Sequence, residues 1–421
     1  MDAQRPPVAA AACAAPACAA DTIVIIGAGQ AGGWAAHTLR QEGWAGRIVL
    51  LGDEPHPPHE RPPLSKAVLA GTAQPASTHL FPADTWAGLN LDWRAGARAL
   101  RIDRDSHTLQ LADGTALPYD QLLLATGGRP RRLPVPGMDL PQVHTLRTLE
   151  DAARLGAALR PGSRLLVIGG GWIGLEVAAT AHAQGLAVTV IEARPRLCER
   201  SVPAEASALL RALHARHGVR VLLGSQVEAI TEAEVGVTVR LQDGSELAGD
   251  TVVVGVGLVP NDELAREAGL TCADGVCVDA QGRSSDADIY AAGDVARAPN
   301  RWAGDAVRME SWQNAQHQGI AVARAMLGQP AEAPPLPWFW SDQFGVNLQV
   351  YGVYRRGCHA VMRGRPDEDR FLLFHLHEGR VIAALGANAA RDMRLARRLI
   401  ESGQPVDPAA LADPDRPLNR L

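Results

Sequence analysis

Lysine is all but missing from this sequence. Of 41 basic residues 40 are arginine, and the single lysine is Lys66. Such a bias, beside the alanine runs, fits a GC-rich coding sequence in which exposed lysines drift to arginine at little cost. A lysine kept against that drift marks a position that needs a compact ammonium on a flexible stem rather than a planar fork. Cysteine is scarce too: six in 421 residues exclude a disulfide-built scaffold and fit a reducing, cytoplasmic compartment. No apolar run reaches the ~18 residues that a membrane span needs, so no membrane is expected. Positive charge is not in excess; 41 Lys+Arg against 46 Asp+Glu give −5, which argues against a nucleic-acid partner. There is no short-period repeat. What is left, with 47% hydrophobic and 21% charged residues, is an ordinary globular chain long enough for two to four domains of ~100–200 residues.

Residues 1–20 are Ala/Pro-rich and aperiodic and read as a disordered tail; Asp2 and the scattered prolines supply neither the basic nor the apolar region of a signal peptide. From Asp21 onward two short apolar runs, Ile23–Ile26 and Leu165–Ile168, each meet a glycine cluster and then a helical pattern, and the second continues into a strand at Ala187–Ile191. That order, given twice, is the mark of two doubly wound α/β units. After Ala331 the prolines Pro334, Pro335 and Pro337 form a stiff linker to alternating stretches at Asn347–Tyr351 and Phe371–His377 and a helix near Ala390–Glu401, a small C-terminal α+β domain.

The first cluster is Gly27-Ala28-Gly29-Gln30-Ala31-Gly32, with Asp53 standing 21 residues past Gly32. The second is Gly169-Gly170-Gly171-Trp172-Ile173-Gly174, with Glu192 standing 18 residues past Gly174. Glycine allows the tight turn, close approach of backbone N–H groups to a pyrophosphate and close helix packing, while the acid grips a ribose hydroxyl. Two such sites imply two dinucleotides, a flavin and a nicotinamide placed for hydride transfer. Ala125-Thr126-Gly127-Gly128 and Tyr290-Ala291-Ala292-Gly293-Asp294 both end strands and bracket the second motif. The first unit is therefore expected to be split, with the second inserted in it. Residues 21–128 and 255–330 are then the FAD-binding domain, 129–254 the NAD-binding domain and 331–421 the C-terminal domain. Glu192 favours NADH by disfavouring a 2′-phosphate, with Arg194 and Arg196 nearby.

Gly52-Asp53-Glu54 and Glu60-Arg61-Pro62-Pro63-Leu64-Ser65-Lys66 resemble the signature of the flavin-dependent ferredoxin–NAD(+) reductases that serve bacterial aromatic-ring dioxygenases and cytochromes P450. Gly169–Glu176, Gly257–Asn261, Glu310–Ala315 and Trp338–Gln343 are similar to the same family. The resemblance implies a glutathione-reductase-like fold and electron flow from NADH through FAD to a small [2Fe–2S] ferredoxin. Position by position it implies FAD contacts at Ala31, Asp53, Lys66, Ala99, Arg147, Asp294 and Trp312, besides Gly27, Gly29 and Gly32. It implies an NAD side at Gly169, Gly171, Gly174, Glu176 and Glu192. Lys66 is expected at the reacting edge of the flavin, paired with Glu176, and Trp340 near the flavin towards the ferredoxin. His59 departs from the tyrosine of many relatives. A rubredoxin reductase, an NADH oxidase and a redox-switched flavoprotein of the apoptosis-inducing type are the rivals.

Other signals carry less. Cys272 and Cys277 have the spacing of a redox-active pair but flank a turn far along the chain, while Glu60–Lys66 holds no cysteine, so thiol relay is not expected. His375 and His377 would share a strand face without a third ligand, so no metal is expected. Arg301, Arg308 and the arginines 391, 394, 397 and 398 are candidates for ferredoxin docking. A monomer is expected.

Overall fold

The computed structural model describes residues 21–355 and 357–421; the tail read at residues 1–20 lies outside the described residues. Strand Thr22–Ile26 is buried along its whole length, as an unbroken run of apolar, β-branched residues requires in a parallel strand covered on both faces. It pairs in parallel with Arg47–Gly52 on one side and Gln121–Leu124 on the other. Asp92–Ala95 and Ile289–Ala291 complete a five-stranded parallel sheet at its two edges. The chain that leaves this sheet after Leu124 returns to it only at Ile289, which sits opposite Leu122.

Between those two strands lies a second parallel sheet, in the order Arg220–Leu223, Ala187–Glu192, Arg164–Ile168, Thr251–Val254, Val143–His144. The outgoing and returning crossings lie side by side, Gly128–Pro130 pairing antiparallel with Leu258–Pro260. Each parallel sheet also carries a three-stranded antiparallel one in its connections, Ala99–Asp103 to Ala116–Pro118 and Val227–Glu232 to Glu246–Gly249. This is the doubly wound, inserted arrangement expected for the fold.

The C-terminal part is a five-stranded antiparallel sheet in the order Trp338–Gln343, Val346–Gly352, Arg380–Ala387, Arg370–His377, His359–Arg365. Val346, Leu348, Phe371 and Leu385 on one face share a core with Leu210 and Leu213 of the second unit. Leu372, Phe374 and Leu376 on the other pack on Met393, Ala396 and Ile400 of helix Ala390–Ser402. That helix thus covers the outer face, and the sheet's inner face is what brings its residues to the dinucleotide units. His375 is buried against Tyr354, His377 is exposed, and among the described residues no group of three metal-binding side chains comes together.

Candidate functional site

The two glycine turns are copies of one geometry. Gly27 has φ +109 and Gly169 φ +108, and a Cβ on either would lie 2.2 Å from the carbonyl oxygen of Ala125 or 2.4 Å from that of Gly255. Gly32 and Gly174 close the turns, where a Cβ would stand 1.9 and 2.1 Å from the carbonyl oxygens of Gly27 and Gly169. These four are glycine because the protein's own backbone leaves no room. The central ones differ. A Cβ on Gly29 would meet nothing within 4 Å, and one on Gly171 only a carbonyl oxygen at 4.0 Å. Packing does not require glycine there, so the open space is room for a ligand, in front of the N-termini of helices Gln30–Gln41 and Trp172–Ala183. Beside the first turn the amide of Gln30 is buried with neither its oxygen nor its nitrogen bonded. Both cradles fit a pyrophosphate.

Around the first turn the structure gathers most of the residues expected to hold FAD. Ala31 is buried under helix Trp312–Met326, where Gly319 lets its backbone pass; a Cβ there would stand 2.4 Å from Ala31 oxygen. Asp53 is exposed at the end of strand Arg47–Gly52, and the chain leading to Ala99 docks beside it, Ala97 N donating to Gly52 O at 2.8 Å. Arg147 donates to Asp294 Oδ2 at 2.9 Å, joining the chain just inside the insertion to the turn just after it. Burial, with Arg61 close by, holds the Arg147 guanidinium below its ordinary pKa, and its Nε has no protein partner. Trp312 donates to Glu60 Oε1 at 3.1 Å and stands edge-to-face with Trp340 at 5.8 Å, which stacks on Trp338 at 5.2 Å.

Lys66 follows the short helical turn Pro62–Ser65, whose prolines fix its entry. Its Nζ lies 2.7 Å from Oε2 of Glu176, which comes from the helix of the second turn and is 4% exposed. The Oγ of Ser65 donates to the same Glu176 oxygen, and Ser341 Oγ donates to Oε1 at 2.6 Å. Sequence reasoning missed Ser65 and Ser341, although both lie inside quoted motifs; no local signal says that a serine hydroxyl ends on a distant carboxylate. It also passed over Glu54, which accepts from Arg61 at 2.8 Å beside the buried His59.

On the second unit Glu192 accepts from the backbone N–H of Gly170 at 2.6 Å and of Arg194 at 2.7 Å, so its carboxylate is fastened to the rim of the glycine turn. Arg196 is spent on the adjoining loop, donating to Val202 O and to Ser207 Oγ at 3.1 Å, and is not free to receive a 2′-phosphate. Arg194 remains exposed.

Two expectations need correction or refinement. Arg308 is not a docking residue: its side chain is 7% exposed and bound to Glu310 at 2.6 Å and Asp274 at 3.3 Å. Cys272 and Cys277 are free thiols flanking the left-handed Asp274 and Gly275, in the small sheet with Ala296–Asn300.

Two ligand cradles in tandem, an acid at each rim and a partly buried ion pair between the units define a two-dinucleotide oxidoreductase. The chain belongs to the pyridine nucleotide-disulphide oxidoreductase family, whose model matches residues 21–319, and the reductase C-terminal model matches residues 338–421. Its dinucleotides are FAD and NADH. It is 41% identical over 397 residues to rhodocoxin reductase of Rhodococcus erythropolis, covering 94% of this chain and 92% of that one. It is 43% identical over 399 residues to the ferredoxin–NAD(+) reductase component of the p-cumate 2,3-dioxygenase system of Pseudomonas putida, covering 94% and 97%. The covalent putidaredoxin reductase–putidaredoxin complex superposes with a TM-score of 0.91 at 38% identity, covering 95% of this chain and 97% of that chain.

Proposed function

We propose that this chain is an NADH-dependent ferredoxin reductase that feeds an aromatic-ring dioxygenase or a cytochrome P450 through a small [2Fe–2S] ferredoxin. The observation that carries the reading is the Lys66–Glu176 pair, which joins the two dinucleotide units at the place where a thiol-relay enzyme of this family needs cysteines. The relatives described above support the partner. FAD, which Gly27–Gly32 with Asp53, Arg147 and Asp294 would hold, would supply the exchange between two-electron hydride chemistry and one-electron transfer, so that one NADH would reduce two ferredoxins and release one proton.

The chain's own residues orient and insulate. Gly27–Gly32 with Asp53, Ala99, Arg147, Asp294 and Trp312 seat the flavin in the parts 21–128 and 255–330. Gly169–Gly174 with Glu192 seat NADH in 129–254. Lys66 places a fixed positive charge where negative charge grows during reduction, the kind of preorganised stabilisation that lowers a barrier most. Glu176 holds that ammonium in place. Trp340, edge-on to Trp312, gives the electrons an aromatic way out towards the C-terminal domain. The four free cysteines among the described residues suit the cytoplasm, and among those residues no helix is long and apolar enough to cross a membrane.

Anaerobic turnover with NADH and a [2Fe–2S] ferredoxin tests the reading. Fast ferredoxin reduction with little oxygen consumption in air supports it. Oxygen consumption matching NADH loss makes the chain an oxidase, and a long-lived reduced complex that ignores ferredoxin makes it a redox switch.

A further inference from the structure

Glu176 carries its carboxyl group in a nearly closed position, 4% exposed, and the C-terminal domain reaches it. Strand Trp338–Gln343 alternates at its end: Ser341 and Gln343 are each 1% exposed and face inward, while Asp342 between them faces solvent. Ser341 Oγ donates to Glu176 Oε1 at 2.6 Å and accepts from Gln343 Nε2 at 2.9 Å. Gln343 Oε1 meets His214 Nε2 at 2.8 Å, and His214, from helix Ala204–Arg216, is fully buried.

The direction of this chain is dictated by its end. A carboxylate only accepts, so Ser341 spends its single proton on Glu176. Ser341 then accepts from the Gln343 NH2 group, the Gln343 oxygen is left for His214, and His214 donates from Nε2. Its Nδ1 is buried with no partner, as the neutral Nε2–H tautomer leaves it. Every donor in the row points towards Glu176, as do Ser65 and Lys66 from the other side. The titratable groups facing Glu176 are Lys66 and the buried Cys198 thiol, which burial keeps protonated; those facing His214 are His182 and His217. Of these, Lys66 is the cation in direct contact with the Glu176 carboxyl group, at 2.7 Å.

We propose that Ser341, Gln343 and His214 are positioning residues of the redox centre, a relay by which the C-terminal domain keeps Glu176 ionised and aimed at Lys66. The proposal rests on the reading of Lys66 and Glu176 as the pair beside the flavin. Loss of the relay leaves a carboxylate with fewer donors in a dry site, and its pKa climbs. Protonated Glu176 no longer pairs with Lys66. The acid limb of flavin reduction then moves to higher pH, so the rate is lost as pH falls through the raised value.

The test uses the flavin-loaded full chain and the substitutions Ser341→Ala, Gln343→Leu, His214→Leu, Ser341→Thr and His214→Gln. The last two keep a hydroxyl and a donor in place. Infrared titration reads the protonated-carboxyl band, assigned by its loss in Glu176→Gln, and stopped-flow reads flavin reduction by NADH against pH. Expected are a protonated-carboxyl band near neutral pH and an acid limb raised by about one unit or more in the first three variants. Both return towards wild type in Ser341→Thr and His214→Gln. An equal loss of rate at all pH values with no new band, or no change at all, overturns the relay. The infrared arm needs no NADH turnover, so a failure of the ferredoxin-reductase reading leaves it intact and is told apart from a failure of the relay.

Discussion

Nζ of Lys66 lies 2.7 Å from Oε2 of Glu176, and the two residues belong to different dinucleotide units. The only lysine of the chain is thus the half-buried member of a pair with the buried Glu176, which also accepts from two serines. A guanidinium keeps the charge but spreads it over a plane and demands a fork of acceptors. Lys66→Arg is expected to slow hydride transfer ~10-fold or more, since small displacements at a reacting centre are costly. Single-turnover flavin reduction checks this, and an unchanged rate means that Lys66 persisted by chance.

The glycines of one turn should answer differently to the same change. Gly169→Ala meets φ +108 and a carbonyl oxygen at 2.4 Å and should fold poorly. Gly171→Ala, at φ −83 with open space before it, should melt like the wild type yet bind NADH more weakly. Calorimetry beside the KM for NADH separates the two; equal NADH affinity in Gly171→Ala would show that no pyrophosphate approaches there.

We propose that Glu192 sets the coenzyme. Its carboxylate is fixed at the rim of the turn by two backbone N–H groups, a position from which we propose that it bonds a ribose diol and repels a 2′-phosphate. Glu192→Ala is expected to narrow the preference for NADH over NADPH, chiefly through lost NADH affinity. The ratio of kcat/KM values reads it, and a wild type indifferent to the two coenzymes removes the premise.

His214 makes stability pH-dependent. Burial pushes its pKa down to about 4, so it is neutral in the fold and charges more readily in the unfolded chain. Its contribution, about 3 kcal/mol for a shift from 6.5 to about 4, is complete above pH 6.5 and is lost as pH falls from 6.5 towards 4. His214→Gln, which keeps a donor and cannot titrate, should flatten that part of the acid decline. Thermal unfolding at pH 7 and 4.5 measures the difference; parallel declines refute it.

We propose that ferredoxin docks on exposed arginines of the C-terminal helix and at Arg301. Arg391, Arg394 and Arg398 are exposed along helix Ala390–Ser402, and exposed Arg301 stands 4.6 Å over the ring of Trp302. Arg397 is tied to Glu401 at 2.8 Å. Arg394→Glu with Arg398→Glu is expected to raise the KM for an acidic ferredoxin and leave flavin reduction by NADH alone, and wild-type ferredoxin turnover should fall with salt as screening shortens to ~8 Å at 0.15 M. Turnover flat in salt and indifferent to both substitutions rules this face out.

The sequence by itself determined the two parallel units, their glycine turns, the acids behind them and the order of insertion. Each of these is written locally: a strand, a turn that only glycine can make and a helix follow one another within a few dozen residues, and spacing is all that a ribose-binding acid needs. Only the tertiary structure decided which side chains share a carboxylate. Ser65, Glu176, Ser341 and His214 lie in four separate elements, and no periodicity relates them; they meet because the C-terminal sheet presses its inner face on the second unit. Packing around the small sheet of the first unit closed Arg308 into ion pairs with Asp274 and Glu310, while Arg394 stands in solvent, a difference between two arginines that composition and charge counting cannot register. Burial is a property of the assembled surfaces, and burial is what turns a hydroxyl, an amide and an imidazole into a directed row of donors.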